Sequence, residues 1–141
     1  DPEEEHDCFS DNTHNSHYYD AVGMWNVYSG RYVRIDGSAV EGPSLSGLVA
    51  EADPKVDADV KARMAVTLAS LGAIKATAEA GTHYDQLLAP GNEAGAALIN
   101  TAIDGLVQQT RAIERAVTAL KLESVAIEGS DSLDDPNAVF K

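Results

Sequence analysis

Three of the chain's four histidines and its only cysteine fall within Glu5-His6-Asp7-Cys8-Phe9-Ser10-Asp11-Asn12-Thr13-His14-Asn15-Ser16-His17, close behind Glu3 and Glu4. On a helix, His14 and His17 are three residues apart and share a face, and Asp11 precedes His14 by the same interval. Neutral imidazoles beside carboxylates are donors of the kind that suit zinc, iron or copper. The candidate metal set is therefore Asp11, His14 and His17, with His6 added if the preceding segment folds back; Asp7 and Cys8 are close enough in sequence to join it. The competing reading makes these solvent-facing histidines at a helix start. Cys8 with His6 or His14 is a weaker nucleophile pair, since no orienting Asn or Asp can be assigned to it. A lone cysteine forms no internal disulfide, so Cys8 is either a free thiol or half of a bridge to another chain. His83, in Gly81-Thr82-His83-Tyr84-Asp85, reads as a turn histidine bonded to local backbone. There is no His-Glu-x-x-His, Cys-x-x-Cys-His, Gly-x-Ser-x-Gly or phosphate loop.

The elements that must position these groups are helical. Ser10 or Asp11 can cap a first helix over 11–29 that stops at Gly30. Its stripe Tyr18, Val22 and Trp25, flanked by Ala21, Met24 and Tyr28, is the expected core face. Residues 30–53 read as an ordered loop with a short helix at Leu45 to Ala52, and Tyr32 to Ile35 as a candidate extended stretch. Asp53-Pro54 opens a helix over 54–80 whose apolar positions are Val56, Val60, Met64, Leu68, Leu71, Ile74 and Ala78. A connector, 81–91, precedes the longest pattern, 92–122, in which Ile99, Ile103, Leu106, Thr110, Ile113, Val117 and Leu120 recur at alternating intervals of four and three. Such spacing predicts one seam facing a partner helix in a left-handed bundle. An acidic, linker-like tail follows over 123–141.

The fold class expected is all-α: one helical domain over 1–141, an antiparallel bundle of three long helices and short ones. Three seams leave a stripe uncovered, so a fourth helix from an N-terminal segment or a partner chain is expected to complete it. The 141 residues carry 23 Asp and Glu against 10 Lys and Arg, a formal charge of -13. That charge repels nucleic acid and anionic membranes and favours cations or basic proteins. Adaptation to saline water accounts for it equally well. No run of about eighteen apolar residues occurs, so a soluble, not transmembrane, chain is expected. The start without Met or a leader pattern is that expected of a processed piece.

Three stretches carry a resemblance. Glu5 to His14, the Asn26-Val27-Tyr28-Ser29-Gly30 helix end, and Gly42-Pro43-Ser44-Leu45-Ser46-Gly47-Leu48-Val49 with Asp53-Pro54 resemble, in order and spacing, the imelysin-like proteins in their iron-regulated protein A branch. The likeness spans the C-terminal half of that family, the opening segment 1–10 through the third long helix. It implies a secreted or periplasmic bacterial protein, or one anchored in the outer membrane through another segment. The implied architecture is two helical bundles, and the implied role is iron acquisition, with iron, or copper or zinc in its place, as the metal. The resemblance also implies that Ser10, Asp11, Asn12 and Thr13 are ligand-binding residues facing the family's Gly-x-His-x-x-Glu motif across the interface between halves. His17 is outside the recognised pattern. This chain contains no Gly-x-His-x-x-Glu; Gly81-Thr82-His83 is followed by Tyr84-Asp85-Gln86. The leading expectation is a metal-linked binding protein whose partners are its N-terminal half, or another chain, and a metal ion. The alternative is a non-catalytic interaction subunit of a larger assembly, and metallopeptidase activity ranks last.

Overall fold

The computed structural model describes residues 5–122, and the acidic tail lies outside them. The described chain is all-α but for one small hairpin. After a 3-10 turn at Cys8–Ser10 come α1 (Thr13–Ser29), strands β1 (Arg31–Val33) and β2 (Ala39–Glu41), α2 (Leu45–Ala52), α3 (Pro54–Glu79), the single turn α4 (Tyr84–Leu87) and α5 (Glu93–Ala119).

The helix ends are set by local chemistry. The first helix starts two residues later than its sequence suggests, because Asp11 adopts the left-handed region (φ 51°) and closes the 3-10 turn. Asn12 then takes the cap position. At the other end of α1, Gly30 has φ 65°, and a Cβ there would lie 2.7 Å from the Ser44 Cβ and 2.9 Å from two carbonyl oxygens, so only glycine fits. Ser44 caps α2 by accepting from the Gly47 amide at 2.9 Å. Asp53 caps α3, accepting from the Lys55 and Val56 amides at 2.9 and 3.3 Å, with Pro54 at the first position. Asn92 caps α5 through the Gly95 amide at 2.8 Å.

Where the sequence reads a loop at 31–42, the chain forms an antiparallel hairpin, pairing Arg31 with Glu41 and Val33 with Ala39. The Gly42 amide donates to the Gly30 carbonyl at 3.0 Å, closing its base. Every hairpin residue is exposed, Ile35 at its tip completely so.

Two apolar clusters make the core. One joins Ala21, Leu71, Ile74, Leu87, Ile99 and Ala102; the other joins Tyr28, Val49, Val60, Met64, Ala112 and Ala116. These pairings set α3 antiparallel to both α1 and α5. The expected α3 stripe is the buried one, with Val60, Met64, Leu71, Ile74 and Ala78 inside. The α5 seam is rotated from expectation. Its buried face is Gly95, Ile99, Ala102, Gly105, Gln109, Ala112 and Ala116, whereas Leu106 is 36 % exposed and Ile103, Ile113, Val117 and Leu120 are half-buried. Small residues let the two backbones approach: a Cβ on Gly105 would sit 3.4 Å from the Thr67 Cα. Close packing outweighs the area gained by turning larger side chains inward. On α1, likewise, Ala21 and Tyr28 are buried, Tyr18, Val22 and Trp25 are half-buried, and Met24 is exposed.

Helices α1 and α5 each pack on α3 and touch one another little. Between them runs an apolar groove of about 400 Å³, lined by Met24, Val27, Leu45, Ile113, Val117 and Leu120 among others. A second hollow of about 330 Å³ continues past Met24 toward His17, Tyr84, Ile103 and Leu106. One buried polar centre ties the helices together. Asp57, 6 % exposed, accepts from Tyr28 Oη (3.0 Å), Ser46 Oγ (2.8 Å) and Lys61 Nζ (2.8 Å), joining α1, α2 and α3.

Candidate functional site

The opening segment folds back onto the start of α1. The Asp7 amide donates to Thr13 Oγ1 at 2.9 Å, and Ser16 Oγ donates to the Asp7 carboxylate. Thr13 is fully buried by this clasp, which makes its hydroxyl a structural acceptor rather than a group facing a ligand. Ser10 is exposed, and its hydroxyl donates to the Asp7 carbonyl at 3.3 Å. Asn12 Oδ1 accepts from Asn15 Nδ2 at 2.8 Å.

The four histidines sort into two pairs, and not as helical spacing suggests. His17 lies beside His6, with ring centroids 5.7 Å apart, and meets Tyr84 edge-on at 5.5 Å. His14 instead meets His83 edge-on at 5.8 Å, and His83 Nδ1 lies 2.9 Å from Asp11 Oδ2. That last pair is close but not aligned for a hydrogen bond, since His83 Nδ1 has no bonding partner. Both side chains are at least one-third exposed, so the attraction is screened and small. His14 and His17 thus occupy neighbouring positions of α1 but separate surroundings.

Sequence alone makes His83 a turn residue, and only the fold brings it to His14. Because α3 runs antiparallel to α1, the connector after α3 returns to the end of the molecule where α1 begins. There the Gln86 side chain accepts from the His83 amide at 2.9 Å and fixes the turn.

Burial and the adjacent His6 lower the pKa of His17, against the opposing pull of Asp20, Asp7 and Glu5. Its neutral form is favoured. Burial, with the nearby Glu5 charge, raises that of Tyr84. Three atoms stand out for the opposite reason: His14 Nδ1, on a residue only 8 % exposed, Glu5 Oε2 and the His83 Nδ1 described above are buried without a hydrogen-bond partner. Buried polar atoms are almost always paired, so each orphaned one calls for an explanation. Beside the clasp, His6, Asp7, Asn12, Asn15, Tyr19 and Asp20 line an open polar hollow of about 380 Å³. Cys8 is a free, exposed thiol.

Among the described residues no three His, Cys, Asp or Glu side chains converge as a metal ion requires. The imidazoles and carboxylates are donors whose chemistry suits a transition metal, and two imidazole nitrogens, His14 Nδ1 and His83 Nδ1, are buried and unpartnered.

The sequence model of one family, described as Imelysin in the peptidase M75 group, matches residues 1–113. The chain belongs to the imelysin family. No curated protein matches it. The imelysin match takes in the whole clasp, both histidine pairs, the hairpin, α3 and most of α5. Among the described residues of this imelysin, no helix is long and apolar enough to cross a membrane.

Proposed function

We propose that this imelysin is a metal-linked binding protein of the iron-regulated branch, secreted or periplasmic, contributing half of a polar site that its N-terminal half or another chain completes. The observation that carries the reading is His14 Nδ1, buried without a partner at the end of the molecule where the resemblance places a ligand-facing surface. Iron, or copper or zinc, is the cargo rather than a fixture of this chain, since the donors among the described residues are too few to close a site. His14 holds the ion, Asp11 and Asn12 stand at the rim, and the partner supplies the remaining ligands. Without a Gly-x-His-x-x-Glu sequence in the chain, hydrolysis is not part of this reading.

The test is calorimetric titration of iron, copper and zinc into the chain, alone and mixed with an imelysin N-terminal half. Binding strengthened by the second half and lost in His14→Ala is expected. Identical traces for wild type and variant in both samples would sink the idea.

A second reading, an interaction subunit without ligand, draws on the groove between α1 and α5. Both walls run opposite to α3, so a helix lying parallel to α3 there completes a four-helix bundle with antiparallel neighbours throughout. Ile99 to Leu120 spans about 30 Å at 1.5 Å per residue, room for a helix of about twenty residues. A monomer in solution that binds no hydrophobic dye would remove this reading's support.

A further inference from the structure

We infer that the chain's contribution to a bound divalent transition metal is the imidazole pair His14 and His83, and that His17 takes no part; this rests on the metal-linked reading above. The two rings come from different elements, α1 and the connector after α3, and face one another edge-on at 5.8 Å. Two imidazoles on one ion, each nitrogen about 2.0–2.1 Å away, place their ring centres roughly 5–6 Å apart, so the pair stands at the right separation. His83 Nδ1 is buried without a hydrogen-bond partner, the Asp11 carboxylate 2.9 Å away being out of line for one, and it is the atom that His83 offers.

His14 offers its orphaned Nδ1. In the metal-free chain the Asn15 amide, 3.2 Å away, donates to His14 Nε2, so the neutral ring carries its hydrogen on Nδ1. Ligation moves that proton to Nε2, and a half-turn of the Asn15 amide, which gives up its bond to Asn12 Oδ1, presents Oδ1 to accept it. His17 is placed otherwise, its ring held between His6 and Tyr84. Two imidazoles do not make a closed site, in keeping with the want of any three-ligand cluster among the described residues.

Zinc titrated into the whole chain, followed by long-range proton–nitrogen spectra of the four imidazoles, tests the assignment. His14 and His83 should shift together while His6 and His17 stay in place. His83→Asn should weaken zinc binding at least tenfold, and His17→Asn should change it less than twofold. Melting curves of both variants matching wild type tie those losses to the donor atoms. Zinc bound equally well by His83→Asn but lost in His14→Asn overturns the role of His83 and leaves the half-site standing. No response at His14 in wild type, with or without an imelysin N-terminal half, overturns both.

Discussion

Replacing Asp57 with alanine is the most informative perturbation of the scaffold. Its carboxylate, 6 % exposed, accepts from Tyr28 Oη, Ser46 Oγ and Lys61 Nζ. Lys61 is partly exposed and turns to water, but the Tyr28 and Ser46 hydroxyls are inside and lose their acceptor. Each buried donor so stranded costs about 1–3 kcal/mol, and both together, with some relaxation, about 3 kcal/mol. Against a total stability of about 5–15 kcal/mol that is a large fraction. It corresponds to a melting temperature lower by about 10 °C in a chain of this size.

The pH dependence carries the sharper test. Burial by itself would raise the pKa of Asp57, but the hydrogen bonds from Lys61, Ser46 and Tyr28 and the Lys61 charge outweigh it and hold the carboxyl below its ordinary 3.8. A carboxyl lowered on folding binds its proton more readily in the unfolded chain. Its stabilising contribution is therefore full above about pH 4 and is lost as pH falls from there through the lower folded-state value. Urea unfolding of wild type and Asp57→Ala between pH 2.5 and 7 should give a gap of about 3 kcal/mol at pH 7 that narrows below pH 4. A gap below about 1 kcal/mol at pH 7, or one that widens in acid, would refute the reasoning. Tyr28→Phe in the same background measures how much of the loss runs through that one hydroxyl.

Two further predictions concern helix packing and the clasp. If the small-residue face of α5 is the one against α3, Ala112→Leu, at a fully buried position, should cost about 1–3 kcal/mol by overpacking, while Leu106→Ala, at a position 36 % exposed, costs under about 1 kcal/mol; denaturant midpoints of the two variants decide it. Thr13→Val removes the acceptor of the Asp7 amide and should destabilise the chain by about 1 kcal/mol, with amide exchange accelerating at residues 7–12 and unchanged in α5, as hydrogen-exchange mass spectrometry would show.

The parts of the fold legible in sequence are those decided by chemistry within a few residues. Asp53-Pro54, Ser44 and Asn92 are caps whose partners lie two or three residues on, and α3 buries the large apolar stripe that its spacing marks, leaving its Ala58, Ala62, Ala65 and Ala69 face exposed. In α5 two faces compete, one of large apolar residues and one of Ala and Gly, and the choice depends on how near α3 can come, which periodicity does not encode. The site divides in the same way. The clasp residues Asp7, Thr13 and Ser16 lie within one local stretch, but the pairing of His14 with His83 joins positions 69 apart through the antiparallel course of α3. No spacing rule reaches that far. His14 and His17 mislead for a related reason: three residues apart on a helix they share a side, yet neighbours from other segments give each its own surroundings.

The base of the hairpin has a consequence for how this protein tolerates change. Gly30 and Gly42 are joined by a backbone hydrogen bond, and everything between them stands outside the body of the molecule. The excursion leaves and rejoins the scaffold at one point. Lengthening such a closed loop costs only about 0.6 kcal/mol per doubling of its length. Between Arg31 and Glu41 the chain is therefore a socket: its contents can be exchanged for another peptide, a label or a longer recognition arm, while the helices that hold the histidines keep their register.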